Sequence, residues 1–185
     1  MSTYPFHTQE TAPEAVRPVL QAVKGKFGFV PNLIAGLANA PAALGAYLAV
    51  ADAFEGTSLT PVERQVVLLA TSVDNGCPYC VAAHSMIARK MAGAPDPVVD
   101  AMRCGGALAD PKLAALADFA RAVVRERGHV ADSAEHKAFL AAGYTPAQAL
   151  EVVVGVTQKT LSNYANRLLG TPVDAAFADE AWTPA

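Results

Sequence analysis

The 185-residue sequence predicts an all-α protein, and composition and helix-start patterns both carry that prediction. The chain is rich in alanine and leucine, and no segment shows the convincing alternation of apolar and polar residues that marks a strand. Two segments begin with a Thr-Pro pair, and Glu63 or Gln148 follows the threonine by three residues, which is a capping box. With 52% hydrophobic and 17% charged residues, the chain is typical of a globular protein, and we expect one domain over residues 1–185.

The individual helices follow from these starts and from the glycines and prolines that end apolar stretches, such as Gly28, Pro41, Gly93 and Gly143. The expected helices cover residues 14–27, 33–39, 42–54, 61–73, 77–91, 97–103, 111–127, 133–142 and 146–169. The two Thr-Pro starts each lead into a Val-rich helix, which suggests a duplicated helical hairpin. Residues 171–185 are expected to form a tail that packs on a neighbour or frays, with Trp182 as its anchor.

The charge and the apolar segments indicate which kinds of partner and which cellular compartment to expect. The net charge is −3 with scattered Lys and Arg, so we expect neither nucleic acid nor a membrane as a partner. The uncharged segment from Phe27 to Ala51 is long enough to span a bilayer, but Pro31 and Pro41 interrupt it, so two short buried helices are expected. Met1–Glu10 has no signal-peptide pattern, and three cysteines do not suit a disulfide scaffold. A cytoplasmic protein with a working dithiol is therefore expected.

The stretch Cys77-Pro78-Tyr79-Cys80, followed by His84, is the candidate reactive site. On a helix that starts near Cys77, the two cysteines and the histidine fall at i, i+3 and i+7 along one stripe. A dithiol beside an imidazole suits thiol redox chemistry. A zinc site would need a fourth ligand, and the available residues do not stand at a familiar ligand spacing; they are Cys104, His129 and His136.

Two local effects can activate a thiol in this stretch, and they favour different sulfurs. The helix N-terminus stabilises a thiolate most strongly at Cys77, whereas His84 lies one turn from Cys80 and can accept its proton. Spacing therefore does not settle which sulfur attacks. A CPYC motif also occurs in glutaredoxin-like proteins, but that fold needs βαβ alternation, and helices surround the motif here. An inert structural cysteine pair is the remaining alternative.

Three segments together resemble the core of the alkylhydroperoxidase D-like proteins of the carboxymuconolactone decarboxylase superfamily. They are residues 59–64 (LTPVER), residues 75–84 (NGCPYCVAAH) and Gly93. Flanking residues 30–32 and 163–166 resemble the peroxidase-related subgroup of that superfamily. The core resemblance covers residues 59–93, and the flanks extend it over most of the chain.

This resemblance implies an all-helical fold that forms a homo-oligomer (trimer, hexamer or dimer) and reduces peroxides with its cysteine pair. By the same resemblance, Cys80 is peroxidatic, Cys77 is resolving and His84 belongs to a proton relay. The family's relay includes a glutamate twelve residues before the first cysteine, where this chain has Gln65. Glutamine cannot take up a proton as a carboxylate does. Glu63 is about 200° away around the helix and is used by the capping box, so it is a poor substitute.

We therefore expect a thiol-dependent hydroperoxide reductase that needs no metal or flavin. Its substrates would be a small organic hydroperoxide or hydrogen peroxide, held in an apolar pocket between Ala-rich helices, and an external dithiol or redox protein would reduce the disulfide. Lactone decarboxylation is a poor candidate, because true decarboxylases of the superfamily typically lack the cysteine pair. The alternative is a redox-switched or structural homo-oligomer without turnover. Cys104 is expected to be a partly buried, unpaired thiol, and Tyr79 stands where some members have a second histidine.

Overall fold

The computed structural model describes residues 3–184, and within that range it contains α-helices and two short 3₁₀ helices but no strand, which confirms the all-α class. The 3₁₀ helices are Glu14–Val16 and Ala175–Glu180. The α-helices are α1 (Arg17–Phe27), α2 (Asn32–Leu37), α3 (Pro41–Glu55), α4 (Pro61–Asp74), α5 (Pro78–Lys90), α6 (Asp96–Cys104), α7 (Pro111–Arg125), α8 (Ala134–Ala141) and α9 (Pro146–Leu169).

Both capping boxes that the sequence predicts are present. The Thr60 backbone N–H donates to Glu63 Oε2 (2.8 Å), and the Glu63 N–H donates to Thr60 Oγ1 (3.3 Å). Thr145 and Gln148 form the same pair of bonds at the start of α9. Each box satisfies two N–H groups that a helix start otherwise leaves without partners. The helix starts of α4 and α9 are therefore fixed by local sequence.

Helix α4 lies at the centre of the fold, where it packs against α5, α7 and α9. Its middle section is buried on every side, from Val66 to Ala70. A helix that is apolar all round needs neighbours all round, which explains its central place. Helix α5 follows α4 after the turn at Gly76, which has a positive φ of 59°. The motif helix thus starts directly beside the most buried helix of the protein.

Helix α9 approaches α3 and α4 closely at Gly155. A Cβ atom at this position would lie 2.6 Å from Phe54 Cζ and 2.8 Å from Val67 Cγ1. Such distances are far shorter than ordinary contacts, so only glycine fits there without a shift of the neighbours. The contact sets the depth of α9 against the core one turn before Lys159.

The C-terminal segment packs on its own chain, which corrects the expectation that it would pack on a neighbour or fray. Phe177 is buried against α5 and the ring of Tyr79. Trp182 Nε1 donates to the backbone oxygen of Arg103 (2.9 Å), as the expected anchor. Glu180 pairs with Arg89 at 2.9 Å and with Arg103 at 3.2 Å. Helix α4 is followed by a second α-helix, α5. Helix α9, in contrast, is followed by the 3₁₀ helix Ala175–Glu180.

The uncharged segment from Phe27 to Ala51 is divided as the sequence predicts. Its two parts are α2, which is buried from Leu33 to Leu37, and the first turns of α3, in which only Leu44 is buried. The expectation of a second short buried helix is therefore wrong, because most residues of α3 are exposed or only partly buried. The turn before α2 begins at Gly28, whose φ of 82° suits a helix C-terminus. Across residues 3–184 we find no helix with the length and apolarity needed to cross a membrane.

Candidate active site

The two motif cysteines lie side by side at the start of α5. Cys77 is the N-cap residue, and Cys80 follows in the first turn. Both thiols are free and buried, with 4% and 1% of their surface exposed. Asn166 of α9 faces both of them, because its Nδ2 lies 3.2 Å from Cys80 Sγ and 3.9 Å from Cys77 Sγ. The structure thus brings together the pair that the spacing predicts.

Cys80 is surrounded by groups that favour its thiolate. Burial opposes the charge, but the Cys77 thiol, the positive charge of Lys159 and the Ser162 hydroxyl together lower the pKa of Cys80 to about 5. Ser162 Oγ lies 3.8 Å from Cys80 Sγ. The surroundings of the pair therefore favour the thiolate at Cys80.

The preference for Cys80 corrects one expectation from the sequence. The helix N-terminus was expected to act most strongly on Cys77, but the structure favours the protonated form there. Its hydrogen bond with Cys80, and then burial, raise the pKa of Cys77 above the ordinary thiol range. Cys77 precedes the first helical turn, and the negative charge beside it outweighs the weaker attraction of the helix end.

His84 lies in a buried chain of hydrogen bonds that includes Gln65, as the sequence predicts. Its Nδ1 is 3.0 Å from Gln65 Oε1, and its Nε2 is 2.7 Å from Lys159 Nζ. A lysine ammonium can only donate, so Nε2 must accept, and the ring proton must be on Nδ1. Burial and the charge of Lys159 hold the pKa of His84 well below its usual value. The imidazole is therefore neutral.

The position of His84 corrects the expected direct contact with Cys80. Both ring nitrogens already have partners, Gln65 and Lys159, and neither bond leads to a sulfur. The one-turn spacing does place His84 and Cys80 on the same side of α5. However, a ring whose acceptor nitrogen is occupied by an ammonium cannot take the proton of Cys80 in this arrangement.

Lys159 is the site residue that sequence reasoning missed. It is 1% exposed and lies in the middle of α9, 75 residues from His84. A signal was present in the sequence, because Lys159, Ser162 and Asn166 fall on one helical face together with the buried Val152 and Val156. A lysine on an apolar face of a long helix is unusual enough to mark a buried partner.

Glu63 and Tyr79 have structural partners, which explains why neither belongs to the chain of bonds around His84. Glu63 Oε1 accepts from the Tyr144 hydroxyl (2.9 Å), and its other oxygen serves the capping box. The Tyr79 hydroxyl donates to Asp174 Oδ2 (2.6 Å) and accepts from the Leu33 N–H (3.3 Å). Tyr79 thus ties the start of α5 to α2 and to the C-terminal segment.

A cavity of about 210 Å³ lies over the start of α5. Cys77 and Asn166 line it, but Cys80 does not, so Cys80 lies behind them. The other polar lining residues are Asn163, Arg167 and Thr171. The expectation of an Ala-rich wall is wrong, because no alanine of the described range 3–184 is among the lining residues. The wall combines apolar groups, such as Pro78 and Val173, with polar side chains of α9. A larger cavity of about 460 Å³ is lined by charged residues of α7 and contains neither motif cysteine.

The remaining cysteine and histidines lie away from this site. Cys104 is exposed at the end of α6, which corrects the expectation of a partly buried thiol. His129 and His136 bond to backbone oxygens, and His7 contacts Thr11. Among residues 3–184, no three His, Cys, Asp or Glu side chains are arranged to hold a metal ion.

Comparison with known proteins identifies the family. Residues 38–122 match the model of the carboxymuconolactone decarboxylase family. No curated protein matches the chain. The matched range contains Gln65, the cysteine pair and His84, but it ends before Lys159.

Solved structures extend the likeness to nearly the whole chain. One is the alkylhydroperoxidase AhpD core of an uncharacterized peroxidase-related protein from Ralstonia eutropha JMP134, with 30% identity, a TM-score of 0.84 and coverage of 95% of this chain and 94% of that one. A peroxidase-related protein from Silicibacter sp. TM1040 (19% identity, TM-score 0.79, coverage 95% and 92%) shares the fold. So does the debrominase Bmp8 in complex with 2,3,4-tribromopyrrole (18% identity, TM-score 0.78, coverage 97% of each chain). The chain therefore belongs to the carboxymuconolactone decarboxylase family and has the fold of its alkylhydroperoxidase AhpD-like members.

Proposed function

We propose that the protein is a thiol-dependent hydroperoxide reductase in which Cys80 attacks and Cys77 resolves. The observation that carries this proposal is the asymmetry of the pair. Cys80 lies among a thiol, a hydroxyl, an amide and an ammonium that favour its thiolate, while Cys77 keeps its proton. The thiolate is the nucleophilic form of cysteine, so Cys80 is the sulfur prepared to attack.

The first half of the reaction oxidises the pair. The Cys80 thiolate attacks the outer oxygen of ROOH, an S–O bond forms, the O–O bond breaks, and RO⁻ takes up one proton to leave as ROH. The Cys77 sulfur then displaces hydroxide from the Cys80 sulfenic acid, and its own proton completes a water molecule. The adjacent positions of the two sulfurs at the start of α5 favour this closure.

The second half restores the dithiol, and the cavity suggests where it starts. An external thiol would attack the Cys77 sulfur, because Cys77 lines the cavity and Cys80 does not. Cys80 would then leave as the thiolate that its surroundings already favour, and a leaving thiol of low pKa leaves faster. A second thiol of the reductant completes the exchange and releases one proton. A cytoplasmic dithiol or redox protein is the reductant that this step needs.

Asn166 contributes to the same reaction by its position between the two sulfurs. Its Nδ2 donates to Cys80, and its Oδ1 is buried without a hydrogen-bond partner among residues 3–184. Since Asn166 also lines the cavity, this oxygen is placed to accept the O–H of an incoming hydroperoxide. The amide would thus hold the thiolate and its substrate at once.

A thiol count tests the proposal on protein with Cys104→Ser, so that only the pair remains. Reduced protein receives one equivalent of tert-butyl hydroperoxide, and thiols are counted over time after quenching in denaturant. We expect rapid loss of both thiols and a Cys77–Cys80 bridge in peptide mapping. Cys80→Ser should remove the fast loss, whereas Cys77→Ser should leave a Cys80 sulfenic acid that dimedone traps. If thiols are still lost rapidly in Cys80→Ser but not in Cys77→Ser, the roles of the two cysteines are reversed.

A redox switch without turnover is the second candidate, and the depth of Cys80 favours it. With 1% of its surface exposed, Cys80 is less accessible than most reactive thiols. In this case the disulfide would change the stability or assembly of an oligomer. Light scattering on oxidised and reduced samples separates the candidates. A change in size without peroxide turnover supports the switch, and turnover without a change in size eliminates it.

We also propose that the protein forms a homo-oligomer through the outer faces of α3 and α9. Large apolar side chains lie on one exposed side of α9 in two pairs, and the members of each pair are three or four residues apart; the pairs are Leu150 with Val153 and Tyr164 with Leu168. The exposed side of α3 carries small residues, namely Ala42, Gly45, Ala46 and Ala49. Helix α3 packs against α9, and we propose that these two exposed sides together bind a second copy of the chain.

The oligomer is tested by size-exclusion chromatography with light scattering. The double variant Leu150→Glu/Leu168→Glu should elute as a monomer, because four charged residues or more would be buried together in the assembled protein. Met91→Glu is the matched control, since Met91 is equally exposed but lies at the end of α5. A wild-type protein that is monomeric at all concentrations would contradict the proposal.

A further inference from the structure

Lys159 has a charge that no carboxylate neutralises within the described part of the chain. Its Nζ is fully buried, and its hydrogen bond goes to the neutral His84 ring. The ion pairs found among residues 3–184 do not include it. A buried ammonium without an anion is costly, and the cost usually drives the proton off. A nearby anion would offset this cost.

The anion available in this site is the Cys80 thiolate. Helix α9 packs against α2, α3, α4, α5 and α7. Lys159 Nζ bonds to His84 Nε2 of α5 at 2.7 Å, and Ser162 and Asn166, on the same face of α9, lie 3.8 Å and 3.2 Å from Cys80 Sγ. The titratable groups of α5 beside this face of α9 are therefore Cys77, Cys80 and His84. Gln65 of α4, which completes the chain of bonds, is neutral. His84 is neutral and Cys77 is protonated, so Cys80 is the group that can balance the ammonium.

We infer that Lys159 is the counter-ion of the Cys80 thiolate and the source of the proton that the leaving oxygen needs. The first half rests on the burial of Lys159, on its bond to His84 and on the contacts that Ser162 and Asn166 of the same helix make with Cys80 Sγ, and the second half rests on the proposed function. In this arrangement His84 is a positioning residue, because its acceptor nitrogen fixes the ammonium at 2.7 Å and Gln65 fixes the ring. Gln65 is then suited to its place, since an amide oxygen accepts from Nδ1–H without adding a charge.

Elimination among the neighbouring groups supports Lys159 as the proton source. The single ring proton of His84 points at Gln65, and Gln65 itself cannot release a proton. The Cys77 proton is needed later to make water from the sulfenic acid. Lys159 carries three protons, of which one is used in the bond to His84.

The proton balance closes over one cycle. When the Cys80 thiolate attacks ROOH, the ammonium loses its anion, and transfer of one proton to RO⁻ leaves a neutral amine beside a neutral sulfenic acid. Condensation with Cys77 releases water and needs no further proton. Reduction of the disulfide by an external dithiol restores the Cys80 thiolate and the Cys77 thiol and releases one proton, which returns to Lys159. The two charges of the site thus appear and disappear together, and no unpaired charge stays buried.

The counter-ion is tested on protein that carries Cys77→Ser and Cys104→Ser, so that Cys80 is the remaining thiol. The absorbance of the thiolate near 240 nm is measured against pH in proteins with Lys, Met or Arg at position 159. This measurement needs no reagent that must reach the buried sulfur. We expect Lys159→Met to raise the midpoint by about one to three pH units, the size of a close opposite charge, and Lys159→Arg to keep most of the low midpoint. Lys159→Gln replaces the methionine variant if that variant does not fold, as judged by circular dichroism. A midpoint unchanged in a folded Met or Gln variant overturns the inference.

Proton donation is tested by the rate of Cys80 oxidation with tert-butyl hydroperoxide at pH values where the thiol is ionised in every variant. If the oxidation rate of the Met variant is at least tenfold lower under those conditions, Lys159 has a role beyond ionising Cys80. General acid catalysis typically contributes a factor of about 10²–10⁴ to a rate. Equal rates would limit Lys159 to the counter-ion and remove the second half. If the wild-type protein does not react with peroxide although its midpoint depends on Lys159, the reductase proposal fails and the ion pair stands.

Discussion

Replacing Gly155 with alanine is expected to destabilise the protein, because α9 has no room for a methyl group at this point. The added Cβ would lie 2.6 Å from Phe54 Cζ and 2.8 Å from Val67 Cγ1, whereas ordinary contacts begin at 3.4 Å. Both neighbours are buried, so neither can move into solvent. Overpacking of this kind costs about 1–3 kcal/mol, and the better helix propensity of alanine recovers up to about 1 kcal/mol.

We therefore expect a net loss of about 1–2 kcal/mol, and a decrease in Tm of about 2–4 °C for each kcal/mol in a chain of this size. Urea unfolding with an unchanged m-value is the assay. Gly25→Ala is the matched control, since a Cβ at Gly25 meets nothing within 4 Å, and it should be neutral or slightly stabilising. In a Phe54→Leu background, which removes the nearest ring atoms, the alanine should cost less. An equal cost in both backgrounds would refute the reasoning.

Three further predictions concern the site and its supports. Tyr79→Phe should lower the free energy of unfolding by about 1–3 kcal/mol in urea titrations, because the buried Asp174 loses a hydrogen-bond donor. Tyr47→Phe is the control. An equal loss of stability in both variants would contradict the role of the Tyr79–Asp174 bond. Gln65→Glu should raise the pKa of His84 by about one to two units in an NMR titration, since it adds a negative charge next to Nδ1; an unmoved ring signal would argue against the 3.0 Å contact. The third comparison uses two proteins that both carry Cys77→Ser, one with Cys80 and one with Cys80→Ser. The protein with Cys80 should have the larger free energy of unfolding, and the difference should grow as the pH rises from about 5 to 8.

The sign of that pH dependence follows from the direction of the Cys80 shift. The folded-state pKa is lowered to about 5, so folding stabilises the thiolate. The stabilisation is complete above the pKa of the unfolded thiol and disappears as the pH falls toward the folded value, with a limiting slope of about 1.4 kcal/mol per pH unit. Denaturant midpoints measured at several pH values would show it. An advantage that is flat over this range would mean that Cys80 is protonated in the folded protein.

Local signals in the sequence predicted the framework of this site well. The threonine caps fixed the starts of α4 and α9, and the turn at Gly76 fixed the start of α5. Each of these signals depends on residues within a few positions of one another, and the same is true of the Cys77 and Cys80 pairing. The helices were therefore predicted to within a few residues of their observed bounds.

The electrostatics of the site could not be predicted in the same way, because they come from α9. The helix-end argument favoured Cys77 and the one-turn spacing favoured a Cys80–His84 contact, and both considered α5 alone. In the folded protein Asn166 and Lys159 approach from a helix that starts almost 70 residues later. Asn166 contacts Cys80 Sγ, and Lys159 bonds to the imidazole and fixes where it points. Periodicity places both residues on one face of α9 but does not say which helix that face meets.

The amide at position 65, in place of a carboxylate, then has a physical interpretation that differs from simple loss of function. A carboxylate at this position would pair with the His84 ring and favour imidazolium, and an imidazolium could not accept the Lys159 ammonium at Nε2. The buried lysine and the neutral amide therefore belong together: the amide keeps the ring neutral, the neutral ring holds the ammonium, and the ammonium balances the thiolate. Gln65→Glu alone is therefore expected to weaken the site, and a glutamate at position 65 should help only where Lys159 is also replaced. Oxidation rates of the two single variants and the double variant would decide it, since the inference requires strong non-additivity between positions 65 and 159.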